Sequence, residues 1–146
     1  MLPFFVYGTL RPGEVNHDLF LRGRTRTERP ARMPGLTLYD GPGYPYAVEE
    51  TGEDHGGGGA VAGDLVTARP EAYAELLRLL DELEEYAPGD PANLYERVER
   101  TATLDDGTAV RAWVYVAAPA VAAGLRARGT RIEDGDWLAR RLPPSA

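Results

Sequence analysis

The chain has no cysteine, no lysine and a single serine, Ser145, near its last residue. Without cysteine there can be no disulfide framework, thiolate zinc site or cysteine nucleophile. With its only serine at position 145, a serine-hydrolase triad is also excluded. The two histidines, His17 and His55, lie far apart and in no zinc-ligand spacing. No apolar run approaches the ~20 residues of a membrane span. The opening Met1–Tyr7 has neither a basic leader nor a small-residue cleavage site, and reads as a strand rather than a signal peptide. The expected setting is the cytoplasm, with no membrane partner.

Every positive side chain is an arginine, and the net charge is −7. An acidic domain repels phosphate backbones, so nucleic acid is not an expected partner. Arg22, Arg24, Arg26, Arg29 and Arg32 form the one basic cluster, read as the solvated face of an edge strand. Length and composition fit one domain over residues 1–146, 43% hydrophobic and 27% charged.

Pattern reading gives strands over Pro3–Tyr7, Arg24–Met33, Leu36–Tyr39, Ala60–Val66, Tyr95–Leu104 and Thr108–Val116. The last two join at Asp106-Gly107, a strong hairpin dipeptide. Val110, Ala112, Val114 and Val116 take one face of the final strand, and Trp113 and Tyr115 the other. With both faces apolar, that strand belongs at the centre of a sheet. Asn16–Leu21 is a candidate short helix with Asn16 as its N-cap. Pro119–Arg128 is a second helix, and Gly135-Asp136-Trp137-Leu138 opens a third. Gly41–Pro45 is a loop, and His55–Gly59, with its run of glycines, a flexible hairpin tip or a disordered stretch. No phosphate-loop pattern is present.

Pro70–Glu84 is the clearest helix. Tyr73, Leu76, Leu77 and Leu80 fall at i, i+3, i+4 and i+7 on one apolar stripe. Eleven residues past Tyr73, about three turns, Glu84 returns to the same direction, whereas Glu82 and Glu85 project to solvent. A carboxylate aimed at a core must find a partner or shift its pKa upward, and the negative end of the helix adds to the penalty. Glu84 is therefore a candidate acid/base. The bland alternatives are a helix that frays before it, or a pairing with an arginine such as Arg97. Similarly, Gly8 after the first strand allows close backbone approach, and the N–H groups of Gly8, Thr9 and Leu10 could form an anion-binding concavity or an ordinary turn.

The ordered set of segments resembles the γ-glutamylcyclotransferase-like superfamily, in its γ-glutamylamine cyclotransferase or AIG2-like branch. The matching pieces are Phe5-Val6-Tyr7-Gly8-Thr9-Leu10-Arg11-Pro12-Gly13 with Asn16-His17, Leu38-Tyr39-Asp40 and Tyr44-Pro45. They continue with Gly63-Asp64-Leu65, Leu80-Asp81-Glu82-Leu83-Glu84, Leu94-Tyr95-Glu96-Arg97 and Ala112-Trp113-Val114-Tyr115, and Gly135-Asp136-Trp137 echoes it further on.

The resemblance implies an α+β fold, a small mixed β-barrel with helices packed outside. It implies a cyclotransferase acting on a small γ-glutamyl amine or amide, releasing 5-oxoproline, with Glu84 as general acid/base and no metal or cofactor. Tyr7, Gly8, Thr9 and Leu10 would bind the glutamyl group, and Tyr95 and Tyr115 would line the cavity or serve only the core. Two departures stand out: Glu85 where relatives often carry glycine, and the glycine-rich stretch Glu49–Gly59, which has no clear counterpart. Three rival readings share the pattern: a non-enzymatic binding module, removal of a γ-glutamyl protecting group in biosynthesis, and metal-dependent amide hydrolysis by the acidic cluster.

Overall fold

The computed structural model describes residues 1–41, 44–50 and 59–138. Five strands close into a barrel in the order β1–β5–β2–β6–β7. They are β1 (Phe4–Val6), β2 (Thr25–Pro34), β5 (Ala60–Ala68), β6 (Tyr95–Leu104) and β7 (Ala109–Ala117). Neighbours run antiparallel except at the seam, where β1 lies parallel to β7 with Phe4 opposite Trp113. There the Trp113 N–H donates to the Pro3 carbonyl at 2.9 Å. β3 (Leu36–Tyr39) and β4 (Tyr46–Glu49) form a separate antiparallel pair packed near β7. The mixed barrel with outer helices agrees with the fold that the resemblance implies.

Alternation divides the core in two. Phe5 on β1 and Ala112, Val114 and Val116 on β7 point into the barrel with Met33, Val61, Leu65 and Trp137. Phe4, Val6, Tyr115 and Ala117 point outward, under helix α1 (Tyr73–Leu83), and meet Leu76 and Leu80. Both faces of β7 are thus covered, as its two apolar faces require. α1 follows a single tight turn, Pro70–Ala72, where proline occupies a first-turn position that has no hydrogen bond to lose. α2 (Pro119–Arg128) begins on a proline in the same way and ends at Gly129. Among the described residues no helix is long and apolar enough to cross a membrane.

Several sequence expectations need correction. β2 is not an edge strand: it lies between β5 and β6, although its register with β6 is confined to Ala31 and Arg32. An irregularity between Thr25 and Thr27 interrupts the strict alternation of the arginines. Arg22, Arg26, Arg29 and Arg32 are exposed and Arg24 half-buried, so the cluster is solvated. Asn16 precedes the short helical turn His17–Leu21 but does not cap it with its side chain. β4 is a strand that the pattern does not predict, because four residues after a Gly/Pro-rich loop carry too short a period. The expected hairpin tip falls, apart from Gly59, outside the described residues, as do His55, part of the Gly41–Pro45 loop, and Ser145. The last expected helix starts at Trp137 and leaves the described residues after Leu138.

Gly63 fixes how closely β1 and β5 approach. A Cβ there would stand 2.3 Å from the Val6 carbonyl oxygen and 2.7 Å from Phe5 Cζ. The first obstacle is backbone and cannot rotate away. Gly63→Ala is therefore expected to cost at least 1–3 kcal/mol through overpacking, read as a lower urea midpoint with an unchanged slope.

Candidate active site

α1 ends in a turn that fixes Glu84. The Glu84 N–H donates to the Leu80 carbonyl at 3.0 Å, so helical geometry reaches this residue and the helix does not fray before it. The next two amides fold back: Glu85 N–H onto Glu82 O at 3.1 Å and Tyr86 N–H onto Asp81 O at 2.8 Å. This paired closure requires a left-handed residue after the cap, and Glu85 supplies it with φ +54°. It is the sole non-glycine residue with positive φ among those described. A glycine at this position would meet no steric penalty, so Glu85 is a departure that the backbone does not favour. The reversal also alters the helical projection. Glu85 is exposed, as expected, but it lies at the rim of a cavity rather than in open solvent.

That cavity, about 430 Å³, lies where the first loop meets the end of α1. All seven residues singled out from the sequence line it: Tyr7, Gly8, Thr9, Leu10, Glu84, Tyr95 and Tyr115. Glu84 is half-buried, and loss of hydration pushes its carboxyl from 4.5 up to about 7. No side-chain hydrogen bond or ion pair holds it among the described residues. The arginine expected as a possible partner is engaged elsewhere: Arg97 Nε donates to Asp81 Oδ1 at 2.9 Å. The Arg97 guanidinium also lies over the Trp113 and Tyr86 rings, 4.4 Å and 5.5 Å from their centres. Asp81 thus takes the cation, and Glu84 is left desolvated and unpaired.

The three tyrosines are walls rather than free donors. Tyr7 Oη donates to the Tyr115 carbonyl at 2.5 Å and accepts from Ala47 N–H at 3.3 Å. Tyr95 Oη donates to Pro45 O at 2.8 Å, and Tyr115 Oη to Asp81 Oδ1 at 2.6 Å. Burial raises all three phenols well above their ordinary value, and the nearby Glu84 charge adds to it. They stay neutral across the working range. Tyr46, stacked on Tyr95 at 4.8 Å, is raised to about 12, mainly by burial.

The first loop is held from both sides. A Cβ on Gly8 would stand 2.8 Å from Pro45 Cδ, so glycine allows the strand end to press against Pro45. Arg11 bridges inward, from Nε to Asp64 Oδ2 and from a terminal nitrogen to Asp136 Oδ1, both 2.9 Å. The loop's own turn is closed by Arg11 N–H onto Gly8 O at 3.1 Å. Among the described residues the N–H groups of Gly8, Thr9 and Leu10 donate to no carbonyl. They are available to an anion at the cavity wall.

Sequence reasoning misses two contributors. Asn16 also lines the cavity, and its Nδ2 donates to Thr9 Oγ1 at 2.9 Å instead of capping a helix. Arg11 belongs to the first motif, but nothing in the motif marks it as the loop's anchor. Its partners are 53 and 125 residues away, a distance that no local pattern reports.

A family model described as "Gamma-glutamyl cyclotransferase, AIG2-like" matches residues 4–139. The chain belongs to that family. It is 39% identical over 113 residues to the γ-L-glutamyl-butirosin B γ-glutamyl cyclotransferase of Niallia circulans, covering 77% of this chain and 64% of that one. The match therefore spans less than two thirds of that relative's length. Two solved structures share the fold. An uncharacterized protein of Pyrococcus horikoshii superposes with a TM-score of 0.63 at 24% identity, covering 97% of this chain and 94% of that one. An AIG2-like protein of Mus musculus gives 0.60 at 22%, covering 82% and 81%.

Proposed function

We propose that the chain converts a γ-glutamyl amine or amide into 5-oxoproline and the free amine. The observation that carries this is the desolvated, unpaired Glu84 carboxyl facing the same cavity as the open amides of Gly8, Thr9 and Leu10. The loop amides receive the substrate's α-carboxylate. Glu84 removes a proton from the α-ammonium, and the freed α-nitrogen attacks the γ-carbonyl carbon. A C–N bond closes the five-membered lactam and the original γ-amide C–N bond breaks as Glu84 returns the proton to the departing nitrogen. The ring nitrogen then sheds its second proton, by way of the freed Glu84 carboxylate, to the released amine, which leaves as an ammonium. Both reacting groups belong to one molecule, so the cavity contributes mainly by restraining a folded conformer. The neutral tyrosine walls exclude water without competing for the proton.

The family membership supports this reading, as does the similarity to a relative named for cyclotransferase action on a γ-glutamyl compound. Removal of a γ-glutamyl protecting group would be the same chemistry with a different leaving amine. The test is 5-oxoproline release from γ-glutamyl amines, γ-glutamyl-lysine and γ-glutamyl dipeptides, with and without a chelator. Release unaffected by chelator is expected. Binding of glutamate-like ligands with no release from any substrate would make the chain a binding module instead.

The reaction needs Glu84 ionised in the free enzyme. Because its carboxyl sits at about 7, kcat/KM is expected to fall on the acid side with a midpoint near that pH. An acid limb near pH 4.5, the value of an ordinary glutamate, would mean that another group accepts the proton.

A further inference from the structure

We propose that the leaving amine carries a second, distal positive charge, and that Glu85 at the cavity rim selects for it. The inference rests on the cyclotransferase reading and assigns its substrate class. Three observations converge. First, the described lining contains two carboxylates, Glu84 and Glu85, and no arginine or histidine. Arg11 and Arg97 lie close in sequence to the lining, but both are committed to aspartates.

Second, Glu85 holds φ +54°, a conformation that disfavours residues with a Cβ. Backbone preference would place glycine at this position, yet the chain carries a carboxylate there, at the mouth of the cavity. Third, the rest of the rim suits an alkylammonium. Tyr44 and Leu94 both line the cavity and are 36% and 41% exposed. Tyr44 meets Tyr46 edge to face at 5.7 Å, and Tyr46 stacks on Tyr95. An aromatic face and an aliphatic side chain accept methylenes and a cation together. The C-terminal end of α1, with its partial negative charge, opens on the same rim.

Glutamyl recognition occupies the inner end, at the loop amides. The leaving amine must therefore extend outward past Glu84 to Glu85, Tyr44 and Leu94. A neutral alkyl group would gain only the apolar contacts, and a second carboxylate would meet two like charges. Glu85 touches the substrate's distal end rather than the reacting atoms, so it governs selection and not the chemical step.

The experiment compares kcat/KM for three γ-glutamyl compounds of matched length: one made from a diamine, one from a neutral monoamine and one from an anionic amino acid. Wild type, Glu85→Gln and Glu85→Gly are assayed at low and high salt. The expected wild-type order is cationic, neutral, anionic, with roughly a fivefold preference for the diamine over the monoamine at low salt, the size of a rim ion pair. That preference is expected to shrink toward one in both variants and at high salt. Glycine, which the backbone favours, controls for misfolding of the turn. An equal preference in wild type and both variants, or wild-type preference for the neutral or anionic compound, would overturn the inference. If no compound releases 5-oxoproline, the reaction reading fails separately. Calorimetry of the free diamine against the monoamine then decides: no tighter binding of the diamine by wild type than by Glu85→Gln sinks the inference.

Discussion

Glu84→Gln is expected to fold and to release 5-oxoproline about 10²–10⁴-fold more slowly than wild type, the usual range for loss of a general acid/base. The amide keeps the shape and polarity of the carboxyl but cannot carry the proton from the α-nitrogen to the leaving group. Stability distinguishes this from simple damage. The folded carboxyl sits at about 7 against 4.5 for a free glutamate, so between those values the native state binds more protons than the unfolded chain. Glu84 therefore opposes folding progressively as pH rises from about 4.5, with the full penalty present above about 7. The shift corresponds to up to about 3 kcal/mol, and about 2 kcal/mol is a fair figure for a half-buried group open to a cavity. Glutamine resembles the protonated form at every pH. The variant is expected to match wild type near pH 4.5 and to exceed its unfolding free energy by about 2 kcal/mol at pH 8. Urea titrations at the two pH values check this. A Gln variant that retains full turnover would remove Glu84 from the reaction.

Arg11→Met is expected to be strongly destabilising. Asp64 is 6% exposed and accepts from Arg11 Nε, while Asp136 takes the other end of the guanidinium. Removing the cation leaves a buried carboxylate without its partner, a change worth about 3–5 kcal/mol. The Arg11→Met, Asp64→Asn double variant is expected to recover a substantial part of that loss, since the stranded charge is gone. The loop amides would also lose their anchor, so KM should rise in the double variant even as stability returns. Additive losses in the double-mutant cycle, with no recovery, would show that Arg11 acts elsewhere.

The strands and the main helix were legible because each repeats a local period. Phe5 alternates with Phe4 and Val6, and Leu76 and Leu80 recur on one face of α1. Glu84 was legible for the same reason, being the residue that continues the stripe in a polar form. What the period could not give was its partner set. Whether Arg97 meets Asp81 or Glu84 depends on the β6 register against α1, which is long-range. The position of Glu85 was hidden because a helical projection fails at the first left-handed residue. β2's place inside the barrel was hidden because an arginine-rich strand with one covered stretch, at Ala31 and Arg32, looks like an edge. The resemblance supplied the barrel and the grouping of the loop with Glu84, neither of which the residue pattern yields alone.

The parallel seam between β1 and β7 governs how the molecule comes apart. The loop bearing the open amides hangs from a three-residue strand whose neighbours, β5 and β7, lie some 60 and 110 residues along the chain. Such a strand has no local contacts to keep it in place, so its amide protons should exchange only with the slowest, whole-molecule openings. The strand from which the loop starts cannot detach while the barrel stays shut.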